Sequence, residues 1–170
     1  KGYFDKDFKD AVIVGVNAIG PYHFQMRKDT VLAIQDLKGK KIRAVGTFGL
    51  YTQLLGASAV SIPGAELYMA LKLGTVDGAL YSAAGIKDLK LNEVIKYRIY
   101  PTSCQITADV YINQDSINKL PEDIRFILLN TSDDIFLKGG MQVQVRDRQA
   151  QAWADNMGVK RIYLSEADVE

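Results

Sequence analysis

The 170-residue sequence holds one cysteine and one histidine. Cys104 alone closes no intrachain disulfide and completes no cysteine zinc site, so it reads as a small apolar residue near a strand start. His23 alone excludes a histidine metal cluster. Charge of one sign is also scarce. Lys and Arg number 21, Asp and Glu 20, and the basic residues are dispersed among the acidic ones for a formal net charge of +1. No basic stripe invites nucleic acid or an anionic lipid surface. The longest apolar run, AVIVGVNAIG at 11–20, falls far short of a bilayer span. Internal repeats and low-complexity tracts are missing. So are the phosphate-binding, dinucleotide-binding and zinc-protease signatures, and no serine or cysteine stands in a nucleophile elbow. Carboxylate pairs occur at Glu122-Asp123 and Asp133-Asp134, but on apparent helix surfaces, where solvation accounts for them. These absences argue against an enzyme, a resident metal or a cofactor.

With 48% apolar and 24% charged residues, the composition suits a soluble globular protein with one core or two small lobes. AVIVGVNA predicts a buried strand, interrupted by Gly20-Pro21 and resumed by aromatic residues. IQDLKG predicts one helical turn closed by Gly39. KKIRAVG predicts a strand, and TFGLYTQLLGA a helix capped by Thr47, with Phe48, Tyr51 and Leu55 on one face. SAVSIP is strand-like, AELYMALKLG helical up to Gly74, and TVDGALYSAAG a strand that leaves its sheet near Gly78. VIKYRIYP and ITADVYINQ alternate, the latter with Ile106, Ala108, Val110 and Ile112 on one face. From Pro121 a long helix is expected, weakened or kinked at Gly139-Gly140 and ended by Gly158. VKRIYL is a last strand, and SEADVE starts a further helix. Strands alternating with helices predict an α/β fold with a largely parallel sheet. Ligands of such sheets bind beyond the carboxyl ends of the strands, which selects the loops 44–48, 62–65 and 79–85.

Arg43 ends a strand that leads into an apolar helix. One reading is a strand end whose side chain reaches water or an ion pair. The other is a fixed cation aimed at an anionic ligand, since a guanidinium is always charged and its planar fork suits a carboxylate. Gly46 and Thr47 would add backbone donors at the following helix start. Tyr22, His23, Tyr51 and Tyr81 are possible aromatic walls, each able to donate one hydrogen bond.

Three ordered stretches carry a resemblance: DLKGKKIRAVG, LLGASAVSIPGAELYMALKLGTVDGALY and VYINQDSINKLPEDIR. Asp36 to Gly39 with Lys41 and Arg43, then Leu55 to Ala57, then Pro63, Glu66, Tyr68, Ala70 and Leu71 match a recurring pattern in order and spacing. Gly74, Val76, Asp77 and Gly78, and finally Ile112, Asn113, Leu120 and Pro121, continue it. The pattern resembles that of the DctP-type solute-binding subunits of TRAP transporters. The resemblance implies a periplasmic-binding-protein-like, two-lobed α/β fold that closes on a small organic acid in the periplasm and delivers it to TRAP membrane permease subunits. It implies that Arg43 clamps the ligand carboxylate from the inter-lobe cleft.

Two departures from the family pattern bear on the ligand. Tyr81 stands where members often carry an asparagine after Val-Asp-Gly, and Tyr22 or His23 falls where some sialic-acid-type members carry a second arginine. Both remove polar anchors, so an apolar or aromatic monocarboxylate or a 2-oxo acid is expected. The expected ligand-facing set is Arg43, Tyr81, Tyr22, His23, Gly46, Thr47, Gly64 and Ser82. Family members are close to twice as long. Residues 1–20 are expected to form a strand of the first lobe or hinge, 21–105 the second lobe, 106–145 a return to the first lobe, and 146–170 the end of the crossing helix with a second-lobe strand. A pocket lacking much of its first lobe should bind weakly and leave an apolar face exposed. The competing reading is a ligand-sensing effector domain of a regulator, which can share the architecture.

Overall fold

A computed structural model describes residues 9–28 and 31–168; the side chains at 17–18, 132–134 and 136–137, and with them Asp133 and Asp134, lie outside the described residues. In chain order the elements are β1 (Ala11–Met26), β2 (Lys41–Arg43), α1 (Thr47–Leu54), β3 (Ser58–Val60), α2 (Leu67–Leu73), β4 (Gly78–Ser82) and α3 (Ala83–Asp88). They continue with β5 (Tyr97–Tyr100), β6 (Cys104–Asn113), α4 (Gln114–Asn118), α5 (Glu122–Asn156) and β7 (Lys160–Tyr163). Short 3-10 turns occupy Ile34–Leu37, Gly64–Glu66, Leu91–Glu93 and Glu166–Asp168.

Strand order is β3-β2-β4-β1-β5-β7, with β6 pairing β1. The sheet is mixed rather than largely parallel. β2 runs parallel to β3 and β4, and β5 parallel to β7, but β1 runs against both β4 and β5. The alternation of strands and helices holds for β2 to β4 and carries no information on the direction of β1. Gly20-Pro21 does not interrupt β1. Pro21 lies one residue before the pairing with β4 begins at Tyr22, so its missing N–H takes nothing from that ladder. β4 starts at Gly78 instead of leaving the sheet there, and the chain turns into α3 at Ala83. Gln114, expected to end the strand ITADVYINQ, instead starts the helix α4, whose N-terminus is capped by Asn113 accepting from the Ser116 amide at 3.1 Å. α5 is helical without a break through Gly139 and Gly140.

The chain divides into two compact units. One comprises Lys1–Ile19 and Ile106–Gln144. Within it, Gln114 N–H donates to the Asp10 carbonyl at 2.8 Å, Gly15 lies against Val110, and Ile124, Phe126 and Ile127 of α5 are exposed. The other comprises Gly20–Gln105 and Val145–Glu170 and holds two apolar clusters, one on each face of its sheet. Strand alternation assigns the faces. Phe24, Met26, Ile42, Leu80 and Ile99 form one cluster, while Ala79 joins Leu71, Ile86, Leu91 and Ala154 in the other.

Several of the patterned residues hold this second unit together. The Asp36 carboxylate accepts from the amides of Leu32 and Ala33 at 2.9 and 3.1 Å, Leu37 is fully buried, and Gly39 takes a left-handed φ of 77°. The Asp77 carboxylate accepts from Lys41 N–H at 2.8 Å and ties the start of β2 to the start of β4. Gly78 is required by close approach, since a Cβ there would lie 2.7 Å from the Gln25 carbonyl.

Candidate functional site: a buried arginine at the end of its strand

Arg43 is the last residue of β2, registered with Val60 of β3 and Ala79 of β4. Its side chain therefore rises at the carboxyl ends of β2 and β3, beside the start of β4; the carboxyl ends of such strands are where α/β sheets place their ligands. Only 6% of it is exposed. The Nε–H donates to the Ile62 carbonyl at 2.9 Å, which fixes the plane of the guanidinium. The Tyr81 ring backs that plane, with its centroid 5.0 Å from Cζ. Among the described residues no carboxylate pairs with Arg43. A cation so nearly enclosed carries a desolvation cost that a carbonyl and a π face offset only in part, so an arriving carboxylate is favoured.

Tyr81 belongs to β4 and shares the sheet face of Ala79 and Arg43. Its ring occupies a notch made by two glycines. A Cβ on Gly85 would fall on ring carbons Cδ1 and Cε1, and one on Gly64 would lie 3.2 Å from the hydroxyl oxygen. Gly64 opens the 3-10 turn after β3, and Ser82 caps α3, its hydroxyl accepting from Gly85 N–H at 3.3 Å. Tyr22 pairs with Ser82 across β1 and β4. Its ring meets Tyr81 edge-on at 5.8 Å and stacks on Phe48 of α1 at 5.5 Å, 13° from parallel. Burial pushes the Tyr22 hydroxyl above its ordinary range, with Tyr81 adding to the rise and Arg43 opposing it. The phenol is thus a neutral donor at neutral pH.

His23 is not brought to Arg43. It is 1% exposed, its Nδ1–H donates to the Ile99 carbonyl at 3.1 Å, and its ring packs on Tyr100 at 4.4 Å. Burial drives its pKa down to about 4, so the ring is neutral at neutral pH. Thr47 is the first helical residue of α1 and caps nothing; the cap position is Gly46, at φ 57°, with no side-chain bond. Both residues are exposed beside the end of β2. Tyr51 stacks on Phe24 on the other sheet face, in the lining of a depression of about 370 Å³ that also includes Leu55, Ile99 and Ser103.

The loops 44–48, 62–65 and 79–85 contain Phe48, Ile62 and Gly85, but the expected ligand-facing set named none of the three. Phe48 shares a helical period with Tyr51 and Leu55, which marked it as core. Ile62 acts only through its carbonyl. Gly85 did leave a signal: a glycine inside a short helix, four residues after an aromatic, marks a close approach. Among the described residues no cluster of metal-ligating side chains occurs, and no helix is long and apolar enough to cross a membrane.

The family profile of the DctP type, bacterial extracellular solute-binding protein family 7, matches residues 7–170. A monocarboxylate 2-oxoacid-binding periplasmic protein of a Nostoc species is 32% identical over 103 residues, which is 59% of this chain and 28% of that one. Among solved structures, a TRAP periplasmic solute-binding protein from Anaerococcus prevotii with bound d-glucuronate superposes with a TM-score of 0.87 at 27% identity, over 96% of this chain and 54% of that one. Another from Desulfovibrio salexigens, with bound orotic acid, gives 0.86 at 26% identity over 97% and 53%. The chain therefore spans about half the length of these solved relatives and carries their two-lobed α/β fold over that part. It belongs to the DctP family of bacterial extracellular solute-binding proteins.

Proposed function

We propose that this chain is part of an extracytoplasmic, periplasmic solute-binding subunit that captures a small organic acid through a carboxylate–Arg43 clamp and passes it to TRAP membrane permease subunits. It is a binding module and not an enzyme. In this reading residues 21–105 form the second lobe, 1–20 a strand of the first lobe or hinge, and 106–145 a return to the first lobe. The carrying observation is Arg43 itself: nearly buried, held by the Ile62 carbonyl, backed by Tyr81, and paired with no acid among the described residues. Its free fork is the group that a carboxylate bridges bidentately.

The ligand class follows from the walls. Tyr81 lies against the cation, Tyr22 meets Tyr81 edge-on and Phe48 stacks on Tyr22, a chain of aromatic surface that adds at most two hydroxyls. Such walls suit an apolar or aromatic monocarboxylate or a 2-oxo acid. The Nostoc relative, described as binding monocarboxylate 2-oxo acids, and the orotate-bound relative support this class. The glucuronate-bound relative is an acid binder of more polar taste. Calorimetric titration of the protein with pyruvate, phenylpyruvate, succinate and glucuronate tests the class. Tightest binding to pyruvate or phenylpyruvate is expected; tight affinity confined to dicarboxylates or sugar acids would overturn the class while leaving the clamp.

A further inference from the structure

Beneath Tyr81 lies a set of buried polar side chains that ligand binding does not explain. Gln25 of β1 is fully buried, and its amide Nε2 donates to the carbonyls of Tyr81 at 3.1 Å and Ser82 at 3.0 Å. Asp147 of α5 is 3% exposed. Gln151, one turn on, donates to its Oδ2 at 2.6 Å, and the amides of Ala83 and Ala84 at the start of α3 face the carboxylate. Oδ1 makes no hydrogen bond. The carboxylate also fills the space left by Gly20, where a Cβ would lie 2.9 Å from Oδ1 and 3.1 Å from Cγ. Gln25 thus holds the segment at the carbonyls that end β4, and Asp147 lies near the amides that begin α3.

We propose that Gln25 and Asp147 are positioning residues that fix the Tyr81–Gly85 segment from beneath and thereby hold the Tyr81 ring against Arg43. A glutamine that reaches two successive carbonyls forces the strand to end where it does. An acid under the first turn of α3 sets the direction in which the chain leaves. The Tyr81 ring lies directly over Gly85, where a Cβ would fall on Cδ1 and Cε1. The consequence for specificity rests on the reading that Tyr81 lines the acid site; the positioning itself does not.

The test is nuclear magnetic resonance of the chain with labelled tyrosine rings, reading cross-peaks between the Tyr81 ring and the Arg43 side chain. Gln25→Ala and Asp147→Ala are expected to weaken these cross-peaks and shift the ring resonances. Asp147→Asn, which keeps an acceptor oxygen and the volume, is expected to restore them. Gln25→Glu is expected not to, because it loses the amide donors. These two conservative variants decide the matter if either alanine variant fails to fold. Unchanged cross-peaks in the folded Gln25→Ala and Asp147→Ala proteins, or equal behaviour of Gln25→Glu and the wild type, would overturn the proposal. Titration with phenylpyruvate and pyruvate adds the functional arm. The displaced ring should lower phenylpyruvate affinity roughly 2- to 12-fold, the span of one aromatic pair, and pyruvate affinity less. A wild type that binds neither acid would count against the ligand class and leave the cross-peaks to judge the positioning.

Discussion

Two buried arginines rise from the same sheet face, each over a tyrosine ring, and they differ in whether an acid pairs with them. Arg98 of β5 is fully buried, and its Nη2 donates to the Asp155 carboxylate at 2.9 Å. Arg161 also pairs with Asp155, and both guanidinium groups lie over the Tyr100 ring, at 5.3 and 5.6 Å. Arg43 has the corresponding ring, Tyr81 at 5.0 Å, and no acid among the described residues. Arg98 brings its counter-ion from α5, so folding pairs its charge, although its Nε and Nη1 make no hydrogen bond. Arg43 is held in shape by Ile62 and Tyr81 with its charge unneutralised, which is the condition for a ligand carboxylate to supply the missing partner.

The contrast is broken most strongly by removing the acid that pairs with Arg98. Asp155→Ala leaves a buried, unpaired guanidinium and should lower unfolding free energy by about 3 kcal/mol, the low end for breaking a buried pair because Asp155 is partly exposed. Urea denaturation reads this; a neutral outcome would mean that Arg98 does not depend on its counter-ion.

His23 belongs to the same region and gives a pH test of similar size. Burial, with lesser contributions from the Arg98 and Arg161 charges, lowers its pKa from 6.5 to about 4 against the pull of the Ile99 carbonyl. The fold holds the neutral ring, whereas the unfolded chain takes up a proton through pH 6.5. The stabilisation is therefore complete above that pH and lost as pH falls towards about 4, by up to about 3 kcal/mol. His23→Gln should flatten this part of the stability–pH curve measured by denaturation; an unaltered slope would remove His23 as its source.

Around Arg43 the expected effects are smaller and fall on ligand choice. Gly85→Ala puts a methyl into the Tyr81 ring and should cost about 1–3 kcal/mol of stability by overpacking, while selectively weakening aromatic acids. Tyr81→Ala should cost about 0.5–1.5 kcal/mol of affinity for phenylpyruvate and less for pyruvate, which is too short to use the ring. Equal losses for the two acids in titration would make Tyr81 packing only.

What the sequence could reveal of this site divides along physical lines. Arg43 stood out as a strand-end cation with two readings open, and the family resemblance favoured the clamp and singled out Tyr81. The neighbours Tyr22 and His23 were not separable in advance. Successive strand residues face opposite ways, and the register of β1 on β4 sets His23 opposite Tyr81 and Tyr22 opposite Ser82; yet the rings take Tyr22 to Phe48 and to the edge of Tyr81, and His23 under Tyr100. Direction was equally hidden: nothing in AVIVGVNA tells that β1 runs against β4 and β5. The line Asp147, Gln151, Asp155 along one face of α5 was readable as a polar period of four, but its partners, Gly20, Tyr100 and Arg98, come from remote strands.

The central claim is that Arg43 waits for a carboxylate. Calorimetric titration of Arg43→Lys with the acid that binds the wild type most tightly tests it directly, with thermal unfolding as control. The change keeps the charge and loses the fork. The expected result is affinity weakened by roughly 1.5–3 kcal/mol, the range of hydrogen bonds to charged groups, at an unchanged melting temperature. Unchanged affinity, or a loss that merely follows a fall in stability, would contradict it.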